Sequence, residues 1–190
     1  MPWNKGKLTG AKALGVPVSI IADLDLLNDE GTFKGLVEKL GGCWSEIGPH
    51  WRAIKTSVEE LRPPITAEQV KGLILKELET GSGLEPFPKQ AERKLKYIFK
   101  TLSPWQVIKQ AGRSGFSAGQ TTSHFDQLSE KCSRLGLWLV PVGDLEGSCR
   151  SLGARHGPAF VETVLRERNL EIDEELQEAR AFVKKIWEAP

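Results

Sequence analysis

The stretch that decides the fold runs Val16-Pro17-Val18-Ser19-Ile20-Ile21-Ala22-Asp23-Leu24-Asp25-Leu26-Leu27-Asn28-Asp29. A β-branched run, entered through Gly15 and Pro17, ends in acidic residues. Val18, Ile20 and Ile21 predict a strand, and a continuous apolar run of this kind suits a parallel strand buried on both faces. Strand side chains alternate, so Asp23 and Asp25 are expected on one side with Leu24 on the other. In open α/β sheets, ligands bind outside the carboxyl ends of the strands. Two carboxylates there repel unless a cation or a proton lies between them. One reading is a Mg²⁺ or Mn²⁺ site. The other is an acidic turn that starts a helix, with Asp29 or Thr32 as its cap.

The same pattern returns much later. Leu137-Trp138-Leu139-Val140-Pro141-Val142 predicts a second buried strand, followed by Gly143-Asp144-Leu145-Glu146-Gly147. If the two strands are neighbours in one parallel sheet, both acidic ends lie at the same edge. Carboxylates converging there without a cation are costly, which favours the metal reading, with Asp23, Asp25, Asp144 and Glu146 as ligands.

Between the strands the chain is helical. Phe33, Leu36, Val37 and Leu40 recur at helical spacing before Gly41-Gly42. A helix from Pro49 to Leu61 carries Trp51, Ile54 and Val58 on one face and is broken by Pro63-Pro64. Thr66 and Gln69 form a capping box. After a linker rich in Gly and Pro, Lys89, Arg93, Lys96 and Lys100 share one helix face. With Lys94, Lys109 and Arg113 they form a basic stretch whose one acid is Glu92. Such a face either grips phosphates or is simply solvated. Ser103, Pro104 and Gln106 start a further helix. Gly112 to Ser123 reads as a mobile loop, and another helix runs to Arg134. The tail is helical, with Phe160, Val161, Val164 and Leu165 expected inward and Asp173 capping the last helix.

The bulk properties narrow the classes. With 190 residues and a formal net charge of +1, no overall field drives the chain onto nucleic acid, so such binding requires a local patch. Three cysteines, none in a CxxC pair, argue against a disulfide framework and for a reducing, cytoplasmic setting. No apolar run reaches the ~20 residues of a membrane span. Gly6-Lys7 near Thr9 lacks the spacing of a phosphate loop.

The quoted motifs, together with His156-Gly157-Pro158, resemble the C-terminal nuclease region of the OLD (overcoming lysogenization defect) family, a Toprim domain with a helical insertion. The likeness covers nearly the whole chain. It implies a Toprim-like α/β fold with a partial parallel sheet. Residues 1–48 and 135–190 would form the core and the C-terminal helices, and 49–134 the helical insertion. It also implies a metal-dependent DNA endonuclease using Mg²⁺ or Mn²⁺. Asp23 and Asp25 would match the Asp-x-Asp ligands, and Asp144 and Glu146 the later acidic motif. Arg155 and His156 stand where the family often has a Lys, as candidates for stabilising phosphate charge. DNA is the implied partner, with an ATPase domain in the parent protein and a homodimer as the family's frequent assembly. Two features depart from the pattern: no strand ending in Glu precedes Val16, and no Walker A loop is present. The chain therefore reads as a fragment. A Toprim-like module that binds DNA or protein without cutting is the alternative. A haloacid-dehalogenase-like phosphatase fits less well, because Leu27 stands where that chemistry prefers Thr or Val.

Overall fold

The computed structural model describes residues 18–61, 66–80, 83, 86–101, 103–153 and 157–189. Strand β1 spans Ile20–Ala22 and leads into a 3₁₀ turn at Leu24–Asn28. Helices α1 (Glu30–Lys39), α2 (Trp44–Glu60), α3 (Ala67–Thr80), α4 (Lys89–Thr101), α5 (Pro104–Ala111) and α6 (Gln120–Arg134) follow. Strand β2 (Leu137–Leu139) then precedes two short 3₁₀ turns and helices α7 (Pro158–Glu167) and α8 (Gln177–Trp187). The chain is mostly helical around a small parallel sheet of two strands. Ile20 pairs with Leu137, Ile21 with Trp138 and Ala22 with Leu139, so the two expected strands are parallel neighbours.

Both strands are shorter than their apolar runs. Ile21 is 53% exposed, which corrects the expectation of a strand buried on both faces. Among the described residues β1 pairs with β2 alone, and only the face bearing Ile20 joins the core.

The main core gathers Leu24, Leu27, Phe33, Val37, Trp51, Ile54, Ile108, Leu128 and Leu137, each essentially inaccessible to solvent. Leu24 and Leu27 are three apart in a 3₁₀ turn and so fall on one side of it. The Trp51 indole donates to the Leu27 carbonyl at 2.8 Å, so its one polar group is satisfied inside the core. Residues from α2, α5 and α6 share this core with both strands, and α2 runs through the boundary expected at residues 48 and 49.

Local signals explain most helix limits. Asp29 caps α1 by accepting from the Thr32 amide at 2.6 Å. Thr66 and Gln69 exchange the bonds of the capping box, with Thr66 N to Gln69 Oε1 at 2.8 Å. Helix α2 begins at Trp44, earlier than Pro49 suggested, and Pro49 lies inside it. The Trp44 ring packs edge-on to Phe33 at 5.7 Å and near Trp51 at 5.8 Å, and this tertiary contact holds the added turn. The expected mobile loop after Gly112 is instead a 3₁₀ turn at Gly112–Gly115 and the start of α6 at Gln120.

A smaller core of Cys149, Phe160, Val164 and Leu176 holds the C-terminal helices. Asp173 accepts from the Glu175 amide at 2.9 Å, in the 3₁₀ turn that leads into α8. Val161 and Leu165, expected inward, are exposed, because α7 buries only the narrow stripe of Phe160, Thr163 and Val164. Among the described residues no helix is long and apolar enough to cross a membrane.

Candidate metal centre

The centre is built where the two strands end. After Ala22, Asp23 remains extended (φ −66°, ψ 157°) and Asp25 enters the first turn of the 3₁₀ segment. The two carboxylates therefore meet through a helical turn rather than through strand pleating. Leu24 is fully buried on the opposite side and anchors that turn. The strand pairing continues past β2: Val140 N donates to Ala22 O at 2.9 Å, and Leu24 N donates to Gly143 O at 2.8 Å. The two acidic turns are thus tied together by backbone.

Helix α5 is laid against them. Gly143 has φ +102°, and a Cβ there would lie 2.0 Å from the Lys109 carbonyl oxygen. Gly112, at φ +63°, would place a Cβ 2.3 Å from the Pro141 carbonyl oxygen. Only glycine meets both demands, a left-handed backbone and a close approach. Arg113 N donates to Pro141 O at 2.8 Å and completes the clamp. This packing delivers Lys109 to the acids.

The Lys109 ammonium lies 3.4 Å from Asp25 Oδ2, 3.7 Å from Asp23 Oδ2 and 4.0 Å from Asp144 Oδ2. Its side chain is 22% exposed and that of Asp144 15%. Asp144 also accepts from the Gly147 amide at 2.8 Å, which orients the carboxylate. Glu146, the fourth predicted ligand, accepts from the Gly157 amide at 2.9 Å. Its charge still reaches Asp23.

The electrostatics follow from this crowding. Burial pushes the Asp23 carboxyl above its ordinary range. Asp25, Asp144 and Glu146 push it further, against the pull of Lys109. Burial alone would lower the Lys109 ammonium, but Asp25 and Asp23 outweigh it and hold the group above its usual value. Three carboxylates around one ammonium leave negative charge in excess. Hard oxygen donors of this kind match Mg²⁺ or Mn²⁺. The spacing is that of carboxylates spread around an ammonium. Among the described residues no group of three or more His, Cys, Asp or Glu side chains forms a ready metal-binding cluster.

The six predicted basic residues divide: four share α4, while Lys109 and Arg113 pair with acids elsewhere. Lys89, Arg93 and Lys96 lie exposed on α4, and Lys100 occupies the same helix. Lys96 pairs with Glu92, and the neighbouring Lys94 with Glu77 at 3.1 Å. Arg113 makes a two-pronged bond to Asp126 at 2.7 and 2.6 Å, which holds that carboxylate below its usual range. Lys109 belongs to the acidic centre rather than to the basic face. Arg155 and His156 lie outside the described residues. One pairing had no sequence signal: His50 of α2 and His124 of α6 meet Nδ1 to Nδ1 at 3.1 Å.

No protein family, characterised protein or solved structure matches the chain.

Proposed function

We propose that this chain is a Toprim-like, divalent-metal-dependent DNA endonuclease module, the nuclease part of an OLD-like ATP-dependent enzyme. The observation that carries the reading is the convergence of Asp23, Asp25 and Asp144 around the Lys109 ammonium at the carboxyl ends of two parallel strands. The motif resemblance supports the same reading, and it alone suggests the ATPase partner domain and a homodimer. Asp23, Asp25 and Asp144 would hold Mg²⁺ or Mn²⁺, with Glu146 beside them. The ion would supply an activated water and stabilise the leaving oxygen of a phosphodiester. The buried Leu24 and the glycine clamp hold these carboxylates in place before substrate arrives, which is what positioned catalysis requires. Lys89, Arg93, Lys96 and Lys100 would meet the DNA backbone through charge alone, and Arg155 or His156 would add positive charge near the phosphate. Cys43, Cys132 and Cys149 are free, in keeping with a cytoplasmic location.

The test is nicking of supercoiled plasmid with Mn²⁺, Mg²⁺ or EDTA, beside Asp23→Ala and Asp144→Ala. Metal-dependent nicking that both substitutions abolish is expected. A second reading, a module that binds without cutting, draws on the occupation of the centre by Lys109. Plasmid retention without nicking in any metal would select it.

A further inference from the structure

Lys109 donates one long hydrogen bond, to Asp25, and is shared by two further carboxylates. Charge-assisted N–H···O bonds close to about 2.7–2.9 Å, yet the ammonium stands at 3.4, 3.7 and 4.0 Å from oxygens of Asp25, Asp23 and Asp144. These oxygens come from two different turns, and the ammonium occupies the space between them. A Mg²⁺ ion requires oxygen ligands at about 2.0–2.1 Å, so it and the ammonium compete for one place. The backbone of Lys109 has no room to yield. Its carbonyl lies under Gly143, and Ile108 beside it is fully buried. The side chain, by contrast, is a flexible stem bearing a compact charge, partly open to solvent.

We propose that Lys109 is a tethered counter-ion. It fills the acidic centre when no divalent ion is bound. When an ion enters, it swings outward and presents its ammonium to a phosphate of the substrate backbone. This rests on the metal reading above and adds a role for a residue outside the acidic motifs. The exchange explains how turns rich in carboxylate are held together without metal. It also means that metal binding and the exposure of a phosphate-seeking charge are one event.

The test is Mn²⁺ affinity, read by calorimetry or by the electron paramagnetic resonance of free Mn²⁺, in the wild type, Lys109→Met, Lys109→Gln and Lys109→Arg. Removing the competing charge is expected to tighten Mn²⁺ binding roughly two- to fivefold in Met and Gln, the upper part of the range of an exposed ion pair. Arg, which keeps the charge, is expected to stay near the wild type. At saturating Mn²⁺ the Met and Gln variants are expected to nick plasmid more slowly. Agreement between Met and Gln guards against a folding artefact in either. Unchanged Mn²⁺ affinity in both variants overturns the counter-ion role while leaving the metal reading intact. Absence of Mn²⁺ binding in every form, variants included, overturns the metal reading and this proposal with it.

Discussion

The acidic centre and the basic face of α4 looked alike in the sequence, each a cluster of like charges with a plausible phosphate chemistry. In the fold they differ in kind. The acids sit on turns anchored by the fully buried Leu24, stitched by backbone bonds and clamped by Gly143 and Gly112. The basic residues sit on an exposed helix packed against α3, which buries no residue of its own. Lys94 and Lys96 there are paired with acids on their own hairpin. Like charges converge only where packing forces them to. On a solvated face they disperse and find local partners. Convergence against repulsion is therefore the stronger sign of a site.

Substitution should separate the two regions sharply. Gly143→Ala combines a left-handed backbone with a Cβ driven into the Lys109 carbonyl. It is expected to cost on the order of 4 kcal/mol in urea unfolding and to dismantle the centre. Leu24→Ala should cost about 3 kcal/mol by loss of a fully buried side chain, whereas Leu78→Ala on α3, where Leu78 is 42% exposed, should cost well under about 1 kcal/mol. Similar losses at Leu24 and Leu78 would erase the contrast.

Smaller effects sharpen it. Asp23 is held above its ordinary range, mainly by burial, so ionising it costs more in the folded chain than in the unfolded one. Its charge costs stability at neutral pH, and that cost fades as the pH falls and the group protonates. Asp23→Asn is thus expected to raise the metal-free Tm by about 1–3 °C while weakening Mn²⁺ binding, a trade of stability for function. A lowered Tm would mean that the acids support the fold rather than strain it.

His50 behaves in the opposite sense. Burial, then the charges of His124 and Lys131, hold it below its usual value. Its contribution is fully present above the unfolded pKa of about 6.5 and is lost as the pH falls through the lower folded value. Lys131 is itself paired with Glu46 at 3.9 Å, and His50 meets His124 Nδ1 to Nδ1 at this α2–α6 contact. Acidification from neutral pH should lower Tm by about 1 °C through His50, and His50→Gln should reduce that slope. The smallest effect on stability is expected for Lys89→Glu with Arg93→Glu, within about 0.5 kcal/mol. The same pair should weaken plasmid retention at low salt. Unchanged retention would remove the basic face from the nucleic-acid reading.

What the sequence determined by itself is what is written within a few residues. Asp29 and Thr32 start α1, Gly41-Gly42 follows its end, and Thr66 with Gln69 opens α3, because caps and helix stops act over one turn. The two strands and their acidic ends were legible because an apolar run followed abruptly by carboxylates is itself a local pattern. The tertiary structure alone decided the rest. It started α2 at Trp44 because Phe33 and Trp51 receive that ring. It left Ile21 outside the core, and it paired Arg113 with Asp126 rather than leaving it in a loop. Above all it took Lys109 from a basic run and set it against Asp25, 84 residues away. No local spacing encodes that contact, since it depends on the close approach of α5 to a turn that only Gly143 permits.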